Sequence, residues 1–132
     1  MQPVRVLMIE PDVELAEMVT EELSEQGVDV QWQADAQQGL EWLLNHRGAR
    51  PDVVVLGMPP PLEELQWFLD GIKASERAAS MPVIATVSVH RVPGTMVRRC
   101  AHFVWKPYSI ESLVNAVELV LRRPIRRAEL PR

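Results

Sequence analysis

Apolar and polar positions along the chain switch repeatedly between two periods, and the switches mark the elements. Val4 to Ile9 is apolar except for Arg5, which predicts one buried strand. From Asp12 the spacing becomes helical, with Leu15, Met18, Val19 and Leu23 on one face and glutamates on the other. Asp12 suits the N-cap and Gly27 the stop. Val28, Val30 and Trp32 alternate with Asp29, Gln31 and Gln33, the period of a half-exposed strand. Asp35 opens a second helix with Leu40, Leu43 and Leu44 as its stripe, ending near Gly48.

The second half repeats this alternation. Val53 to Leu56 follows the Pro51–Asp52 turn and is apolar throughout, as in a strand covered on both faces. Pro59 to Pro61 make a stiff loop, and a third helix turns Leu62, Leu65, Phe68, Leu69 and Ile72 inward. Val83 to Val89 is a fourth strand, followed by a short helix around Thr95 to Cys100 and a strand at Phe103 to Trp105. Ser109 caps the last helix, whose buried face is Ile110, Leu113, Val114, Val117 and Leu121, and Pro124 is expected to end it. Five strands alternating with five helices predict a doubly wound α/β fold with a parallel sheet in the flavodoxin-like order 2-1-3-4-5. The expected body is 1–122, followed by an Arg/Pro-rich tail, 123–132.

Composition narrows the class without changing this picture. The 132 residues are 47% hydrophobic and 24% charged, as in one globular domain. No apolar run is long enough for a bilayer, and no secretory signal pattern opens the chain, so a cytoplasmic setting without membrane attachment is expected. One cysteine, Cys100, excludes an internal disulfide. The net charge of −4 argues against nucleic acid as a partner, although Arg122, Arg123, Arg126, Arg127 and Arg132 crowd the tail. The first helix carries an acidic face, read foremost as solvated and secondarily as a protein contact.

In an open parallel sheet a site forms beyond the carboxyl ends of the strands at the switch point. The residues that reach it are Glu10, Pro11 and Asp12, then Gly57 and Met58, then Val87 and Ser88, and Lys106. The stretches VLMIEPD, PDVVVLGMPPP, MPVIATVSV and FVWKPYSIESLVNAV stand in the order found in receiver domains of response regulators. Over residues 4 to about 122 the chain resembles that CheY-like family, most specifically at Lys106-Pro107-Tyr108. Only two lysines occur against twelve arginines, which gives a lysine at this position added weight.

The resemblance implies phosphoryl transfer to an aspartate ending the third strand, with magnesium held by two acids after the first strand. A hydroxyl on the fourth strand and the lysine would bind the new phosphate. Matched residue by residue, Glu10 keeps the first acid, Pro11 replaces the second, Gly57 replaces the acceptor and Val87 replaces the hydroxyl. A one-residue slip could offer Thr86 or Ser88 instead, at the expense of flipping the strand. The expectation is a pseudo-receiver: no catalytic residue, magnesium binding lost or weak, and Lys106 paired with Glu10, or failing that with Asp12.

Its function would be a phosphorylation-independent protein–protein contact in two-component or phosphorelay signalling, through a surface that includes Trp105 and Tyr108. The partner is unidentified, and a homodimer is admitted because many receivers pair. Two alternatives stand beside this reading: phosphorylation at a non-standard residue such as Asp12 or Ser88, and a small ligand in the vacant crevice. Cys100 with His102 offers no oriented catalytic group, and His46, His90 and His102 lack metal-ligand spacing. Trp42 and Trp67 lie off the apolar stripes of their helices and are expected to be partly exposed.

Overall fold

The computed structural model describes residues 2–57, 63–88 and 94–125. Three strands form the middle of one parallel sheet: β1 (Arg5–Ile9), β3 (Val53–Gly57) and β4 (Val83–Val87). Every residue of β3 and β4 is buried, and of β1 only Arg5 is not. Strands apolar on both faces need cover on both, which places them at the centre. The edges are β2 (Asp29–Gln33), with its alternating polar residues, and β5 (His102–Trp105). The order is β2-β1-β3-β4-β5, all parallel, the flavodoxin-like order expected.

Helices α1 (Val13–Glu25) and α5 (Ile110–Leu121) cover one face. Their core is Val19, Leu23, Leu113, Val114 and Val117 against Val6, Met8, Val53, Val55, Ile84 and Val104. Helices α2 (Ala36–Asn45), α3 (Glu63–Lys73) and α4 (Gly94–Val97) cover the other. There Leu40, Leu43, Leu65, Phe68, Leu69, Ile72, Met96 and Cys100 pack on Leu7, Ile9, Val54, Leu56, Ala85 and Val87.

The caps explain where the helices begin and end. Asp12, Asp35 and Ser109 each accept a backbone N–H three residues on, from Leu15, Gln38 and Ser112. The end of α1 is a Schellman turn. Val28 N–H donates to the Leu23 carbonyl and Gly27 N–H to that of Ser24, with Gly27 at φ 86° where a Cβ is disfavoured.

Several boundaries and faces differ from the sequence expectation. Met18 is 46% exposed, while Ala16 is buried in its stead and Leu15 is only half-buried. The buried face of the helix therefore runs through Ala16, Val19 and Leu23. Ser88 follows the end of β4; Val89, His90, Pro59 to Pro61 and Leu62 lie outside the described residues. The fourth helix is Gly94–Val97, starting and stopping earlier than expected, and Cys100 reaches the core from the turn beyond it.

Helix α5 stops at Leu121, before Pro124, because Arg122 turns left-handed at φ 57°. Past it the chain stays on the body: Ile125 N–H donates to Glu118 Oε2 at 3.0 Å, and the Ile125 side chain is buried in the α1/α5 core. Residues 126–132 lie outside the described residues. Replacing Ile125 by Ala is expected to lower unfolding stability by about 2 kcal/mol in urea titration, the loss typical of a truncated core side chain. A side chain on a detached tail would give no measurable change.

Candidate functional site

Residue alternation decides which side chains meet at the strand ends. In β3, Val53 and Val55 face α1 and α5, so Gly57 falls on that face too. Ile9 is in register with Leu56, so Glu10 and Gly57 come side by side one residue further on. Gly57 is in turn paired with Thr86, and Thr86 with Val104, two residues before Lys106. Glu10, Gly57, Thr86 and Lys106 therefore line one crevice on one side of the sheet.

Glu10 is fully buried and tied at both its backbone and its carboxylate. Its N–H donates to the Gln33 carbonyl at 3.0 Å, and its own carbonyl accepts the Trp32 indole N–H at 3.0 Å. Oε2 accepts the backbone N–H of Asp12 at 3.0 Å. Lys106 Nζ stands 3.1 Å from Oε1 and 3.4 Å from Oε2. The shorter of these contacts is an ion pair without hydrogen-bond angles, so the donated bond goes to Oε2 while Oε1 keeps no hydrogen bond.

The Lys106 side chain is 21% exposed, which lets its amine keep part of its hydration while it neutralises a carboxylate wholly out of water. Lys106 itself is positioned by its N–H, which donates to the Val87 carbonyl at 2.8 Å, and the Lys106–Pro107 peptide bond is cis.

The Glu10 carboxylate occupies the space a side chain at position 57 would need. A Cβ built on Gly57 collides with Glu10 Oε1, lies 2.9 Å from its carboxyl carbon and 3.0 Å from the Ile9 carbonyl oxygen. Glycine at 57 and an inward glutamate at 10 are thus sterically interdependent.

Around this pair the other expected residues take specific places. Asp12 is exposed, and its Oδ1 accepts the Leu15 N–H as the α1 cap rather than turning to Lys106. Pro11 is exposed. Val87 packs into the core on the opposite face, with no slip of β4, while Thr86 lies beside Gly57 with its hydroxyl buried and unpartnered. Trp105 is 48% exposed. Tyr108, expected on that surface, is instead half-buried against the α1/α5 core, and its hydroxyl is shielded from solvent without a partner. Burial, and then the Glu10 charge, push the Tyr108 phenol well above its ordinary value, so it stays neutral.

One contributor escaped sequence reasoning: Trp32, which fixes the Glu10 backbone. Trp32 was legible in principle, because the parallel register sets it beside Met8, two residues before Glu10.

Elsewhere, Trp67 is exposed at 48%, and Trp42 is half-buried, stacked on His46 with ring centroids 4.1 Å apart. Among the described residues no group of three His, Cys, Asp or Glu side chains is placed to hold a metal, and no helix is long and apolar enough to cross a membrane. Cys100 is buried, and that burial raises its thiol from 9.0 to about 11, with Arg99 opposing the shift.

No family model matches the chain. A probable transcriptional regulatory protein of Mycobacterium tuberculosis, TcrX, is 32% identical over 126 residues, covering 92% of this chain and 51% of the relative. The chain therefore spans about half the length of that relative. Among solved structures it is similar to the chemotaxis protein CheY4 of Vibrio cholerae, with a TM-score of 0.75 at 18% identity over 90% of this chain and 99% of that one. A Francisella response-regulator receiver domain gives 0.76 at 19% identity, covering 90% and 97%. The receiver domain of a Pseudomonas aeruginosa sensor histidine kinase, solved with magnesium in its active-site cleft, gives 0.75 at 17%, covering 91% and 98%. The fold is that of CheY-like receiver domains.

Gly57→Ala is expected to lower stability by about 1–2 kcal/mol in urea unfolding, since the added Cβ must shift the Glu10 carboxylate and crowd the Ile9 carbonyl. Gly94→Ala, where a Cβ meets nothing within 4 Å, serves as the control and shifts it little. At pH 8, Cys100 in the folded protein is expected to react with iodoacetamide at least a hundredfold more slowly than a free thiol. Raising the thiol from 9.0 to about 11 removes that much thiolate before access is considered. The same shift makes the folded state lose stability as pH climbs through this window, since the unfolded chain gives up its proton first.

Proposed function

We propose that this chain is an atypical receiver domain that acts as a protein–protein interaction module in two-component signalling, without a phosphorylation cycle of its own. The observation that carries the reading is the pocket at the end of β3. Position 57 has no side chain to accept a phosphoryl group, and its space is filled by a carboxylate already paired with Lys106.

The surrounding residues support it. Receiver chemistry needs a second acid after β1 to hold magnesium, and here Pro11 stands in that place while Asp12 is engaged as a helix cap. Val87, at the position expected for the hydroxyl, points to the other core, and the hydroxyl that lies beside Gly57 is that of Thr86, with no aspartate there for it to act with. With that donor set magnesium binding is lost or weak, and no catalytic residue remains.

The chain would then signal by its surface, to a signalling protein or to a second copy of itself, with Trp105 on the exposed side of β5 as an anchor. Large aromatics of this kind are enriched at interface centres. The filled crevice also leaves little room for a small ligand, and Asp12 serves its own helix, so both alternative readings rank behind. Likeness to a transcriptional regulatory protein is compatible with a role upstream of gene control.

An amide correlation spectrum recorded with and without magnesium and beryllofluoride tests the proposal. It is expected to be unchanged. Shifts clustered at Glu10, Gly57, Val87 and Lys106 would mean that the pocket still takes a phosphoryl mimic, and the reading would be withdrawn.

A further inference from the structure

The pocket beside Gly57 gathers more hydrogen-bond donors than the protein uses. The Asp12 N–H and the Lys106 ammonium point at the Glu10 carboxylate. The Thr86 hydroxyl, buried beside Gly57, has no acceptor. Glu10 Oε1, fully buried, has only the Lys106 ammonium beside it, at 3.1 Å. Neighbouring parallel strands lie about 4.8 Å apart, so Thr86 stands within one water or one anion oxygen of the space at position 57. A backbone N–H, an ammonium and a neutral hydroxyl make an environment matched to an anion, and among the described residues no group of three acidic or other metal-binding side chains is placed to hold a cation.

We infer that this pocket is an anion site whose ligand is built into the chain. The Glu10 carboxylate is a permanent occupant of position 57, and once it is removed the pocket takes up a small carboxylate from solution. The inference rests on the reading of position 57 as a vacated acceptor site. In that reading Glu10 does continuously what a transient anion would do: it holds Lys106. Lys106 adjoins exposed Trp105 and lies two residues before Tyr108, so the same contact sets the turn that leads from β5 into α5 and presents Trp105.

The atoms removed by Glu10→Ala are those of one acetate, which makes chemical rescue the test. The variant's Tm is expected to fall, and acetate at tens of millimolar to restore several degrees beyond sodium chloride of equal ionic strength. Neither wild type nor the Glu10→Ala/Lys106→Met double variant should show that gain. Equal responses to acetate and chloride would overturn the inference. Should Glu10→Ala fail to fold, the wild type answers, because its two lysines give two ammonium signals in a 15N spectrum. Lys106 is expected to be protected from exchange and distinct from Lys73; two equivalent, fast-exchanging signals would overturn it. None of these measurements involves magnesium or a phosphoryl mimic, so the site can fail as an anion pocket while the phosphorylation-independent reading stands, and the reverse.

Discussion

A carboxylate wholly removed from water costs several kcal/mol unless a counter-charge and hydrogen bonds meet it, and Glu10 is such a group. Much of the strand-end architecture is organised around meeting that requirement. The Trp32 indole and the Gln33 carbonyl hold the backbone of Glu10 from the edge strand β2. The first turn of α1 supplies a backbone N–H, and Lys106 arrives from the far side of β5. Elements distant in sequence are thereby joined at a single side chain, across the strand whose end carries no side chain at all. Gly57 is what allows it, since any Cβ there would displace the carboxylate.

Most of the fold was legible because parallel-sheet burial leaves a strong mark. Continuous apolar runs at Val53 to Leu56 and from Val83, and the polar alternation of Val28 to Gln33, separate central strands from edges without further information. The misjudged positions share a cause. Ala16 and Ala116 bury completely or nearly so, yet a stripe drawn through large side chains passes both over, and in α1 it assigns Met18 in place of Ala16. The end of α5 is set by a left-handed arginine, a conformation that no residue-type rule anticipates for Arg122.

The candidate site divides in the same way. Which residues stand at the strand ends followed from element order, and charge balance alone favoured Glu10 for Lys106. What the sequence could not disclose was direction. That Asp12 would serve its helix, that Tyr108 would turn inward, and that Trp32 would reach the Glu10 carbonyl all depend on rotamers and register rather than on spacing.

The interlock of Gly57 with Glu10 also bears on how such a chain can change over generations. An aspartate introduced at 57 would meet the Glu10 carboxylate already in its space, adding a second negative charge to a pocket with one lysine. Removing Glu10 first would strand that lysine. Each of these single substitutions thus passes through a less stable protein, so residues 10, 57 and 106 are constrained to change together rather than one at a time.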